Sequence, residues 1–224
     1  MTLHFLREMD RLNEQLVKIG NKIEAQVSMA FHAVLQLDEA AARQVIKGDL
    51  EIDDLEIDME EECLKLLALY QPVANDLRLI VAVLKINTDL ERIGDHAKNI
   101  AETAIKLSAD PAVEIPESMH TIFKQARLML RKTLLAFVEA DQGLARKVLE
   151  MDDEIDNLCG TELPHQVDLI KEHPENASQR LMLLSVCRQL ERIGDHASNI
   201  AEDVVYLLSG NIIRHGENER VECQ

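Results

Sequence analysis

The sequence predicts an all-α protein of two tandem, pseudo-symmetric three-helix bundles, six long helices in all. Three observations carry that prediction. Apolar residues recur in steps of three and four over most of the chain, the mark of amphipathic helices. Aromatics are scarce, 3% with no Trp, which leaves the core to Leu, Ile, Val, Ala and Met and suits packed helices. The third is a repeated phrase: Leu90-Glu91-Arg92-Ile93-Gly94-Asp95-His96-Ala97-Lys98-Asn99-Ile100-Ala101-Glu102 returns from Leu190 to Glu202 with one change, Ser198 for Lys98. A repeat of that length, free of insertions, marks a duplicated unit.

In chain order, Met9, Leu12, Leu16, Ile19, Ile23, Val27, Ala30 and Val34 define a first amphipathic helix. Asp38 is placed to cap the second, with Glu39 near its positive end. That helix runs to about Tyr70, with a bend near Gly48, and Pro72 marks the next break. The third carries Leu77 to about Leu107. Residues 109–116 hold two prolines and no periodicity, and read as a linker. A fourth helix covers Glu117 to Glu139, and a fifth opens at Asp141 and stops at His173-Pro174. The sixth spans Ala177 to about Leu208, and 210–224 form a polar tail. The duplication reaches further than the phrase: Asp38, Ala42, Arg43 and Val45 correspond to Asp141, Ala145, Arg146 and Val148. Likewise Asp49-x-Glu51-Ile-Asp53 falls on Asp152-x-Glu154-Ile-Asp156. The expected units are therefore a first bundle over 1–108 and a second over 117–209, with short connections that make neighbouring helices antiparallel.

The formal net charge is −17, from 41 Asp and Glu against 24 Lys and Arg. Phosphate backbones need basic clusters, so nucleic acid is excluded as a main partner. Cation binding, or a partner with a basic surface, fits the balance. Cys63, Cys159, Cys187 and Cys223 are scattered without metal or disulfide spacing, and read as free thiols in a reducing compartment. With no long uncharged apolar run and no signal-peptide pattern at the start, the expected location is cytoplasmic.

The repeated phrase sorts into faces on a helix turning about 100° per residue. Val83, Ile86, Leu90, Ile93, Ala97, Ala101 and Ala104 share a core-facing seam. Glu91, Asp95, Asn99 and Glu102 stack along a different line. Gly94 leaves a gap where something can approach the backbone. The preceding helix carries a second acidic row, Asp49, Asp53, Glu56 and Glu60; Asp152 and Asp156 repeat its start, with Cys159 and Leu163 in the later places. Ionised carboxylates at a helix contact are costly unless compensated. Two readings compete: a network with Arg92, Lys98 and Arg192, or a site of hard oxygens suited to Mg²⁺, Mn²⁺, Ca²⁺ or iron. The candidate ligands are Asp49, Asp53, Glu91, Asp95 and Asn99 in the first half. In the second they are Asp152, Asp156, Glu191, Asp195 and Asn199. Arg92, His96, Arg192 and His196 are turned away, and are expected beside an ion rather than on it.

With Asp-x-x-x-Asp on the helix before it, the doubled phrase resembles the PhoU family of phosphate-uptake regulators over residues 4 to 209. The resemblance implies two symmetric three-helix bundles in a cytoplasmic protein, commonly a homodimer. It implies negative regulation of the phosphate-starvation response, by coupling the phosphate ABC transporter and its ATPase to a sensor histidine kinase, with the membrane reached only through those partners. It also implies metal, Mg, Mn, Fe or Zn, held by Asp49/Asp53, Glu91/Asp95, Asp152/Asp156 and Glu191/Asp195. A metal-dependent enzyme is the alternative, a phosphohydrolase or a di-iron oxidase. The oxidase pattern requires Glu-x-x-His on two helices, and Gly94 and Gly194 stand where those histidines belong. Without a P-loop or nucleophile elbow either, no catalytic role is expected. A metal-free helical scaffold is the third option.

Overall fold

Residues 3–109, 114–211 and 213 are described in the structure, a computed structural model. Six long helices carry the chain: α1 Leu3–Gln36, α2 Glu39–Tyr70, α3 Ala74–Ser108, α4 Glu117–Glu139, α5 Gln142–Glu172 and α6 Ala177–Ser209. A 3₁₀ turn, Pro174–Asn176, leads into α6. The middle of the expected linker, residues 110–113, and most of the expected tail lie outside the described residues, as does Cys223.

The connection from α1 to α2 is copied between α4 and α5. In each, a non-glycine residue takes a left-handed conformation, Leu37 and Ala140, both at φ 51°. The next residue is the aspartate cap, whose backbone N–H reaches back to Ala33 O at 3.0 Å or Ala136 O at 2.9 Å. Its side chain then accepts from the first turn of the new helix, Asp38 from Ala41 N at 3.0 Å and Asp141 from Leu144 N at 2.9 Å. One aspartate so closes one helix and opens the next.

Helix α2 runs unbroken through Gly48. The glycine answers to a close neighbour instead: a Cβ there would overlap the amide nitrogen of Gln26 on α1. Helix α5 likewise continues through Pro164, where the ring removes a backbone donor to Gly160. Both residues lie on the exposed side, where the freed carbonyl meets water.

Helices α1, α2 and α3 pack together, as do α4, α5 and α6, and the two sets join through α3 against α6 and, less extensively, α1 against α4. Pairings of Lys85 with Asp203 and of His96 with Gln189 show that α3 and α6 run antiparallel. Among the described residues, helices α2 and α5 touch only their own set and are outermost. The seam read from the sequence is the core: Val83, Ile86, Leu90, Ile93, Ala97, Ala101 and Ala104 are all buried. Buried residues of both halves form one continuous cluster. Cys63, Cys159 and Cys187 are buried free thiols, as expected, and burial pushes the Cys63 thiol up to about 12.

Candidate functional site

Gly94 and Gly194 determine how closely the acid-bearing helices approach. A Cβ on Gly94 would meet Ile52 of α2 at 3.4 Å, and one on Gly194 would meet Ile155 of α5 at 3.2 Å. Each isoleucine seats against a backbone stripped of its side chain, which brings Asp49/Asp53 beside Glu91/Asp95, and Asp152/Asp156 beside Glu191/Asp195. The electrostatics register that proximity. Burial, reinforced by Asp49 and Asp95, raises the Asp53 carboxyl above its ordinary range. Burial with Asp95 and Asp53 nearby does the same to Glu91, and burial with Glu60 and Asp53 to Glu56. In the second half burial first raises Asp152, Asp156 and Glu191; Asp195 adds to all three, and Asp156 adds to Asp152 and Glu191. Four carboxylates in each half thus share a field. They do not share a point: among the described residues, no group of three or more His, Cys, Asp or Glu side chains is gathered closely enough to hold a metal ion in this conformation.

The single substitution inside the repeated phrase falls in this field. Lys98 donates to Asp49 Oδ2 at 2.6 Å, and Asp49 is only 1% exposed. That hydrogen bond, opposed by partial burial, raises the lysine's own pKa. The first half therefore carries its compensating charge in its own sequence. The second half has Ser198, whose hydroxyl stands beside Asp152 and pulls its carboxyl down in part, though no hydrogen bond closes in this geometry. Asp152 Oδ1 is left buried without a hydrogen-bond partner among the described residues. The arginines lie at the rim. Arg92 reaches Glu91 at 3.5 Å and Asp95 at 3.6 Å, and Arg192 reaches Asp195 at 3.1 Å.

The histidines and asparagines face elsewhere. His96 Nδ1 lies 2.7 Å from Gln189 Oε1, and His196 Nδ1 lies 2.7 Å from Asp89 Oδ1. Asn99 donates to the same Gln189 oxygen at 3.4 Å, and Asn199 to the same Asp89 oxygen at 3.2 Å. The two imidazoles meet across the α3–α6 contact, ring centres 5.3 Å apart. Burial, the facing His196 and Arg192 lower the His96 pKa below 6.5, against the pull of Gln189 and Asp95. A second cross-link, Lys85 to Asp203 at 3.0 Å, sits further along the same contact, with Lys85 over the Tyr206 ring. Neither was read from the sequence. For the histidines the signal was there: identical residues on two copies of a helix meet near the axis if the copies pack antiparallel.

A family model described as the PhoU domain matches residues 16–104 and 119–204, one segment in each half. The chain belongs to the PhoU family. It is 40% identical to a Pseudomonas putida protein named a phosphate-specific transport system accessory protein PhoU homolog, over 98% of this chain and 86% of that one. An Aquifex aeolicus protein of the same name is 37% identical, over 95% and 96%. The crystal structure of PhoU from Pseudomonas aeruginosa superposes with a TM-score of 0.88 at 38% identity, covering 92% of this chain and all (100%) of that one. The structure of the phosphate transport system regulatory protein PhoU from Streptococcus pneumoniae gives 0.87 at 28% identity, covering 93% and 98%. These PhoU structures share the fold described above, and the names the relatives carry are those of accessory and regulatory proteins rather than enzymes.

Proposed function

We propose that this protein is a cytoplasmic, non-catalytic negative regulator of phosphate uptake and of the phosphate-starvation response, and that it couples a phosphate ABC transporter to a sensor histidine kinase. One observation carries the reading: rows of carboxylates face one another on neighbouring helices in both halves, on a chain that is a PhoU family member along nearly its whole length. A divalent cation is the ligand their chemistry favours. The second half fits it best, because Asp152 keeps a buried oxygen unpaired and Ser198 brings no positive charge. In the first half Lys98 already satisfies Asp49, and an incoming cation competes with that ammonium. A cation there would supply charge that offsets repulsion between α5 and α6; Asp152, Asp156, Glu191 and Asp195 are the residues that would hold it, once drawn closer together than they stand in this conformation.

Deleting the gene and measuring starvation-gene expression in phosphate-replete medium tests the regulatory reading. Constitutive expression is expected, and normal repression refutes it. Elemental analysis of untagged protein tests the cation, with bound metal expected to fall in Glu191→Ala. Robust phosphatase or oxidase turnover abolished by Asp95→Ala would favour an enzyme instead.

A further inference from the structure

The outer face of α2 has a feature that neither the core nor the carboxylate site explains. Leu50, Ile57 and Leu64 are 65%, 51% and 52% exposed, although α2 buries Ile52, Met59 and Leu66 on its opposite side. Their spacing is seven and seven. At about 100° per residue they drift by only about 20° per step, so they form one straight file pointing away from the bundle. Isolated exposed leucines are ordinary; a periodic file directed away from the core is the pattern by which helices pair. Helix α5 does not copy it, since Asp153 and Gly160 hold the places of Leu50 and Ile57. The file is therefore no by-product of the duplicated bundle.

Charge identifies what can lie on it. From Leu50 to Leu64 the helix carries eight Asp or Glu and no Lys or Arg. Asp54, Asp58 and Glu61 are exposed on one flank of the file, Glu60 on the other. A second copy laid on this face would set acid against acid, which the −17 net charge aggravates. An anionic lipid surface is repelled for the same reason. A helix with apolar residues every seventh position and Lys or Arg beside them meets both the file and its rims.

We infer that the outer face of α2, Leu50, Ile57 and Leu64 between acidic rims, docks a basic amphipathic helix of a partner protein. The inference adds a contact surface to the proposed regulatory role and requires no metal, so it can fail while that role stands, and the reverse.

The test uses the full chain and a labelled three-heptad peptide with Leu at the a and d positions and Lys at e and g, followed by fluorescence anisotropy. Saturable binding is expected, weakening with salt. Leu50→Ser, Ile57→Ser and Leu64→Ser together should weaken it on the order of tenfold to a hundredfold, with the thermal melt unchanged. A second variant, Asp54→Asn, Asp58→Asn and Glu61→Gln, keeps the apolar file; it should also bind more weakly and with a shallower salt dependence. The same peptide with Glu in place of Lys should not bind. Absence of saturable binding overturns the inference, as does binding by the serine variant equal to that of the parent chain. Self-association lost in the serine variant would assign the face to a second copy, and file-dependent binding to phosphatidylcholine vesicles would assign it to lipid; either result overturns it too.

Discussion

Lys98→Ser makes the first repeated phrase identical to the second, and the structure sets the size of the effect. The ammonium lies 2.6 Å from a carboxylate whose side chain is 2% exposed, while the lysine side chain is 33% exposed. Deleting one partner of a fully buried pair costs about 3–5 kcal/mol, because the remaining charge is left in low dielectric. Water reaches the lysine end, so the cost here belongs below that range, at about 2–3 kcal/mol. For a chain of this length, 1 kcal/mol shifts the melting temperature by about 2–4 °C, which places the drop at roughly 4–12 °C. Calorimetric melts of chelated protein near neutral pH measure it. Asp49→Asn on the same background removes the stranded charge and should recover much of the loss. Mn²⁺ should then stabilise Lys98→Ser more than the parent, because ligands that bind only the folded state raise its stability. A single variant that melts within about 1 °C of the parent would show that the ammonium compensates nothing, since even half a kcal/mol should exceed that. Failure of Asp49→Asn to rescue would refute the pairing.

Three other outcomes follow from the geometry. Asp203→Asn leaves Lys85 without its buried partner across the α3–α6 contact, and should lower stability by about 1–3 kcal/mol, read as a shift of the urea midpoint at unchanged slope. Asp152 has a folded-state pKa above its ordinary 3.8, so its charge opposes folding at neutral pH, and that penalty fades as pH falls towards 3.8. Asp152→Asn should accordingly stabilise the chelated protein near neutral pH and abolish stabilisation by added Mn²⁺; melts of both proteins with and without the ion decide it. His96 has the opposite sign. Its folded-state pKa lies below 6.5, so its contribution is full above 6.5 and is lost as pH falls from there through the folded value. His96→Asn should flatten that acid limb in a stability–pH profile, and an unchanged limb would rule the imidazole out as its cause.

Much was legible in the chain because its signals are local. The caps Asp38 and Asp141 are placed by their side-chain chemistry, and the seam from Val83 to Ala104 by its periodicity, with no need of distant partners. What misled was equally local. Gly48 read as a bend, but its neighbour Gln26 lies on another helix and could not be seen from residues 40–60. The left-handed Leu37 and Ala140 carried no glycine signal. Helical spacing turns His96 away from the acid line but does not say what it meets; its partners, Gln189 and His196, come from the other repeat.

The sequence by itself determined the six helices, their duplication and the two rows of carboxylates on each half, since propensity, capping and periodicity act over a few turns. Only the tertiary structure decided which charges meet. It set Lys98 against a buried Asp49, left an oxygen of Asp152 unsatisfied, paired the histidines across the contact between repeats and turned Leu50, Ile57 and Leu64 outward. The reason is range: a side chain's burial and its counter-charge depend on helices many residues away, and two copies of one phrase come to differ through what is packed against them.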